Sequence, residues 1–94
     1  MSGTYEASGE IDRATAPAFA AALHDTIDDS DAELVFVDCT HVTFMDSAGF
    51  HALIDATKYA IRHHHRLVIR NMSAKCSRII RICDSDGELH VQAA

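Results

Sequence analysis

Two stretches decide the fold: Glu33-Leu34-Val35-Phe36-Val37-Asp38-Cys39 and, just after it, Phe44-Met45-Asp46-Ser47-Ala48-Gly49-Phe50. The first is a near-continuous apolar run of β-branched and aromatic side chains. That pattern predicts a strand buried on both faces at the centre of a parallel sheet. Beyond the second, Phe50, Leu53, Ile54, Thr57 and Ile61 recur at helical spacing and predict an amphipathic helix of about four turns. Asp46 is a natural N-cap for it, and Met45 is placed to pack on Phe50 as a hydrophobic staple.

Working outward from that pair, the same alternation continues. Residues 4–8 read as a weak strand ending at Gly9. Thr15 is placed to cap a first helix, Pro17 suits its first turn, and Phe19, Leu23 and Ile27 share one face. Asp28-Asp29-Ser30-Asp31 breaks that helix. On the other side, Leu67-Val68-Ile69 is a further strand. Ser73 caps a third helix with Cys76, Ile79, Ile80 and Cys83 inward, Asp84-Ser85-Asp86-Gly87 ends it, and residues 88–91 form a short closing strand. The predicted fold is therefore α/β, a single domain over residues 1–94. It has a small mixed, mostly parallel β-sheet of about four strands and three helices.

Composition agrees and narrows the function. A chain of 94 residues, 48% hydrophobic with one Pro and four Gly, holds one sheet-and-helix core but not an enzyme-sized cavity as well. A net charge of −6 disfavours nonspecific nucleic-acid binding and anionic membrane surfaces, both of which need basic patches. The longest apolar stretch, residues 34–37, is far too short for membrane insertion. Met1-Ser2-Gly3-Thr4-Tyr5-Glu6 lacks the regions of a signal peptide, so the expected location is cytoplasmic. Cys39, Cys76 and Cys83 form no even disulfide set and no C-x-x-C pair; they read as reduced thiols, with nothing to raise a redox role.

Chemistry concentrates at Ser47, at or next to the first helical position. Free backbone N–H groups and the positive end of the helix dipole meet there, and both favour an anion. A phosphate on Ser47 adds a charge of roughly −1.5 to −2 and three acceptor oxygens. Ala48 and Gly49 leave the hydroxyl accessible and let a partner's backbone approach. By local chemistry alone an ordinary helix cap at Asp46 and Ser47 is the stronger reading, because both residue types are common at helix starts.

The run Phe44-Met45-Asp46-Ser47-Ala48-Gly49, following an apolar strand, closely resembles the phosphorylation motif of STAS domains of the anti-sigma factor antagonist family. Gly9-Glu10-Ile11-Asp12 with Thr15-Ala16 resembles the stretch that precedes the family's first helix. More weakly, Arg81-Ile82-Cys83-Asp84 to Leu89 resembles its last helix and closing strand. The resemblance implies that Ser47 accepts the phosphate and that Asp12, Asp46, Ala48 and Gly49 line the partner-binding surface with it. It implies an anti-sigma factor that is also a serine kinase, bound while Ser47 is bare. That binding frees a sigma factor, Mg-ATP-dependent phosphorylation ends it, and a phosphatase resets the switch. The chain would then be no enzyme, with no catalytic residue and no cofactor of its own. Members usually carry more chain before the Gly-Glu stretch, so the N-terminal edge strand is expected to be shortened or missing. An unpaired sheet edge invites a homo-oligomer. The same resemblance admits a second role, a constitutive interaction or scaffolding subunit, for instance beside a transporter, without phosphorylation.

Two other features carry less. His63-His64-His65 follows the second helix, but adjacent side chains diverge and supply no convergent metal site. The G-x-S-x-G elbow of a serine hydrolase is absent, since Met45 stands where its first Gly must be.

Overall fold

Six elements alternate along the chain in the computed structural model, which describes residues 3–84 and 87–92. They are β1 (Thr4–Ile11), α1 (Ala16–Asp29), β2 (Leu34–Met45), α2 (Ser47–Arg62), β3 (Arg66–Arg70) and α3 (Ala74–Cys83). The strands form one sheet in the order β1-β2-β3, parallel throughout, with β2 at the centre as its apolar run predicts. The expectation of about four strands is met approximately. The closing segment makes a single bridge, Val91 to Ile69, held by the Ile69 N–H donating to His90 O and the Gln92 N–H to Ile69 O. Of the predicted helix-ending run, Ser85 and Asp86 lie outside the described residues.

Both early strands outrun their predicted limits. β2 continues beyond Cys39 through Val42 to Met45, both buried, with exposed Thr40, His41, Thr43 and Phe44 between them. β1 continues through Gly9, at φ +75°, to Ile11. The two keep pairing because β2 takes one extra residue at each of two register shifts, opposite the steps from Glu6 to Ser8 and from Gly9 to Glu10 of β1. Each shift inserts a bulge and breaks the period-2 pattern, which is why the sequence stops announcing a strand there. The charges of Glu6 and Glu10 blunt β1, whose outer edge has no strand beyond it among the described residues.

Burial alternates across the sheet. Ala7, Val35, Val37, Cys39, Leu67 and Ile69 face the helices and are buried. The opposite face is not covered by a described helix. Leu34 is 43% exposed, and Phe36 is only half-buried, with the Arg70 guanidinium 4.4 Å over its ring. Burial on both faces of β2 is therefore corrected to burial on one. A cation lying on an aromatic ring shields Phe36 where a helix would otherwise be needed.

Between sheet and helices lie Leu23, Ile27, Leu53 and the β2 and β3 side chains, all essentially inaccessible. Each large aliphatic side chain so buried contributes about 1.5–3 kcal/mol relative to exposure. α2 buries a narrow seam of Gly49, Ala52, Ala56 and Ala60 with Phe50, Leu53 and Thr57, which lets it sit close to its neighbours. Ile61, expected inward, is 61% exposed, because Ala60 ends the buried seam. Ile79 and Cys83 of α3 are likewise only half-buried, leaving Cys76 and Ile80 as its core contacts. α1 and α2 are tied by a His24–Tyr59 ring stack at 4.1 Å and by the Tyr59 hydroxyl donating to Asp28 Oδ1 at 2.6 Å.

Candidate functional site

The site is built where β1 and β2 end together. Ile11 pairs with Met45, so Asp12 and Asp46 leave the sheet side by side at its carboxyl end. In open parallel sheets that end is where binding surfaces form. The Asp46 N–H donates back to Ile11 O at 3.3 Å, fixing the point at which the chain turns from β2 into α2.

Asp46 is the N-cap of α2, as its position predicts. With extended backbone (φ −113°, ψ −167°), its Oδ1 accepts from the Ala48 N–H at 2.9 Å and the Gly49 N–H at 3.4 Å. The Phe50 N–H is taken by Asp46 O at 3.1 Å. This changes the electrostatic picture drawn from position alone. A carboxylate already occupies the anion-accepting end of α2, so the Ala48 and Gly49 amides are not free to cradle a phosphate. Only the Ser47 N–H is left without a bond among the described residues. A phosphate on Ser47 would stand outside that cap, beside a negative charge.

Ser47, the first residue of α2, is exposed, and its hydroxyl makes no hydrogen bond among the described residues. The cap is thus the work of Asp46 alone. Ala48 is half-buried behind Ser47, and Gly49 is buried. A Cβ on Gly49 would lie 2.6 Å from Met45 Cγ, 2.9 Å from Ile11 Cγ2 and 3.1 Å from Ile11 O. Glycine is required because the helix start rests directly on the two strand ends. Met45 and Ile11 are therefore the floor of the site. Their role follows from the register of β1 on β2, which the local sequence does not reveal.

Asp12 is committed to the turn before α1. Its Oδ1 accepts from the Ala14 N–H at 3.0 Å and the Thr15 N–H at 3.1 Å, and its own N–H donates to Thr15 Oγ1 at 2.9 Å. These bonds, the Thr15 N–H foremost and the Thr15 hydroxyl next, hold its carboxyl below the ordinary value of 3.8. Thr15 occupies the N-cap position of α1 but caps nothing. Its hydroxyl is turned back to Glu10 O at 2.7 Å, with Asp12 Oδ1 at 3.1 Å, because β1 ends so close by. The rim is completed by Phe44, a large apolar side chain left 39% exposed where the bulged register carries it off the buried face. Its exposure comes from that irregularity and has no signature in the sequence.

The remaining candidates resolve into structure. His63-His64-His65 forms a helix stop: His64 adopts φ +66°, the His64 N–H reaches Ile61 O at 3.2 Å, and the His65 N–H reaches Ala60 O at 2.8 Å. This is the paired bonding of a Schellman cap, with histidine where glycine is usual. His65 Nδ1 further lies 2.7 Å from Ala32 O. No three His, Cys, Asp or Glu side chains among the described residues are placed to hold a metal. Cys39 and Cys76 are buried, and burial pushes the Cys39 thiol up to about 12, with Cys76 and Asp38 adding to the effect. No described helix is long and apolar enough to cross a membrane.

Fold and site together define a small α/β domain that presents an unengaged serine on a self-capped helix at the carboxyl end of a parallel sheet. The STAS domain family model matches residues 2–94, and the chain belongs to that family. No curated protein gives a significant match. Thirteen solved chains do. One of them is the anti-sigma factor antagonist SpoIIAA in its unphosphorylated form, with a TM-score of 0.68 and 16% identity over 97% of this chain and 78% of that one. At that identity the likeness is one of fold.

Proposed function

We propose that this chain is an anti-sigma factor antagonist switched at Ser47. In its bare form it binds an anti-sigma factor that is also a serine kinase, and so frees a sigma factor. Phosphorylation of Ser47 by that kinase releases the complex, and a phosphatase restores it. The chain acts as substrate and binding partner in the cytoplasm and contributes no catalytic group of its own. The observation that carries this reading is the division of labour at the start of α2. Asp46 does all the capping, and Ser47 keeps an exposed hydroxyl with no bond to hold it back.

The charge arrangement supports a release mechanism. Asp12 and Asp46 emerge together from the paired strand ends, and Glu10 precedes Asp12 on the exposed rim. With the Ala48 and Gly49 amides taken by Asp46, α2 offers a phosphate little beyond the Ser47 N–H. A partner that buries Ser47 while it carries roughly two negative charges must desolvate that group, at a cost of several kcal/mol per ion unless it supplies its own cations. The exposed ring of Phe44, on the strand that leads into α2, offers a partner of the bare form an apolar contact.

The test is to incubate the protein with its cognate kinase and Mg-ATP and to map the phosphate by mass spectrometry. Phosphate on Ser47, absent from Ser47→Ala, is expected. Equal phosphorylation of Ser47→Ala would remove Ser47 from the mechanism, and a constitutive scaffold would take its place.

A further inference from the structure

Away from the Ser47 site, α3 and the closing segment flank an open groove of about 740 Å³, within the range of roughly 300–1,000 Å³ typical of small-ligand sites. Ala74, Ser77, Arg78 and Arg81 line it from α3, at the i, i+3, i+4, i+7 positions of one helical face. Met72 and Val91 form the facing wall, and Ile80 forms part of the lining. Val91, 40% exposed, is held there by the bridge to Ile69.

The charge of this groove is the reverse of the chain's. Against a net charge of −6, the ten residues of α3 carry Lys75, Arg78 and Arg81 and no acid. Among the described residues neither Arg78 nor Arg81 makes a hydrogen bond or an ion pair. The carboxylate in the lining, Asp84, is engaged elsewhere: Oδ1 accepts from the Glu88 N–H at 2.9 Å and Oδ2 from the Leu89 N–H at 3.1 Å. Asp84 thereby pins the closing segment against α3 and pairs with neither guanidinium, so two positive charges stand against one carboxylate in the lining. Two planar forks of donors over an apolar wall match one kind of ligand, an anion carried on an apolar body.

We propose that this groove is a binding site for a small organic phosphate or carboxylate with an aromatic or aliphatic body. The anionic group sits between Arg78 and Arg81, and the apolar body lies along Met72, Ile80 and Val91. The groove shares no residue with the Ser47 site, so the proposal stands whether or not Ser47 is a switch.

Amide chemical-shift titration with 1-naphthyl phosphate, 1-naphthol and inorganic phosphate is the test. Saturable shifts at Ser77, Arg78, Arg81 and Gln92 with naphthyl phosphate are expected, at least tenfold stronger than with either naphthol or phosphate alone. Arg78→Gln with Arg81→Gln, both exposed and so compatible with folding, should weaken naphthyl phosphate at least tenfold. Naphthol binding as tightly as its phosphate, unchanged binding by the double variant, or shifts confined to residues 46–49 would each overturn the proposal.

Discussion

Gly49→Ala is a demanding test of the way the site is built. In an ordinary helical position the change stabilises, because alanine is favoured over glycine by about 0.8–1.0 kcal/mol. Here the added methyl meets Met45 Cγ at 2.6 Å and Ile11 Cγ2 at 2.9 Å, and both side chains are buried. Those two could yield by rotation only into a filled core. The third contact, Ile11 O at 3.1 Å, is backbone and also holds the Asp46 N–H. α2 must therefore move off the strand ends, straining the link that sets the cap. Overpacking costs about 1–3 kcal/mol, and three simultaneous contacts put this site in the upper half of that range. After subtracting the helix preference, a net loss of about 1–2 kcal/mol remains, and each kcal/mol lowers Tm by about 4–8 °C in a domain of this size. Urea unfolding with an unchanged slope and a lower midpoint is expected. A Gly49→Ala variant as stable as the parent would refute the close seating of α2 on Ile11 and Met45.

Other predictions concern parts outside that contact. His64→Gly should stabilise by up to about 1.6 kcal/mol: the left-handed position costs a side chain about 1–2 kcal/mol, offset by about 0.4–1 kcal/mol of added chain entropy. A lower urea midpoint would count against the Schellman cap. Cys39 should resist iodoacetamide in the native protein at neutral pH while Cys83 is labelled, since only a thiolate reacts and the Cys39 value lies at about 12; peptide mapping showing equal labelling would contradict its burial. Asp12 has a folded value below its ordinary 3.8, so its contribution is full above that pH and is lost as pH falls through the folded value. Asp12→Asn should accordingly lose less stability than the parent on acidification below about pH 4, read from urea midpoints across that range; parallel curves would count against the turn.

The parts of this molecule legible in its sequence are those set by near neighbours. Asp46 could be read as a cap because its partners, Ala48 and Gly49, follow it directly. The apolar run of β2 announced a central strand, and Leu23 and Ile27 announced a buried helix face. What escaped depends on residues brought together from afar. Thr15 looked like a cap until the end of β1 offered it Glu10 O. Phe36 looked like a core residue, yet it is shielded by Arg70 from the neighbouring strand. The bulges in β2 that expose Phe44 arise from its pairing with β1 and leave no periodicity to read. The start of α2 falls where the sequence placed it, but its electrostatics were not legible, because nothing in the sequence says that one carboxylate oxygen will hold two helix amides.

The central claim is that the charge on Ser47 decides whether the partner stays bound. Calorimetric affinity of the cognate kinase for the bare protein and for the same protein carrying phosphoserine at position 47 tests it most directly. Several kcal/mol of uncompensated desolvation, at 1.4 kcal/mol per tenfold, predict a loss of at least about 100-fold. Equal affinity of the two forms would contradict the account.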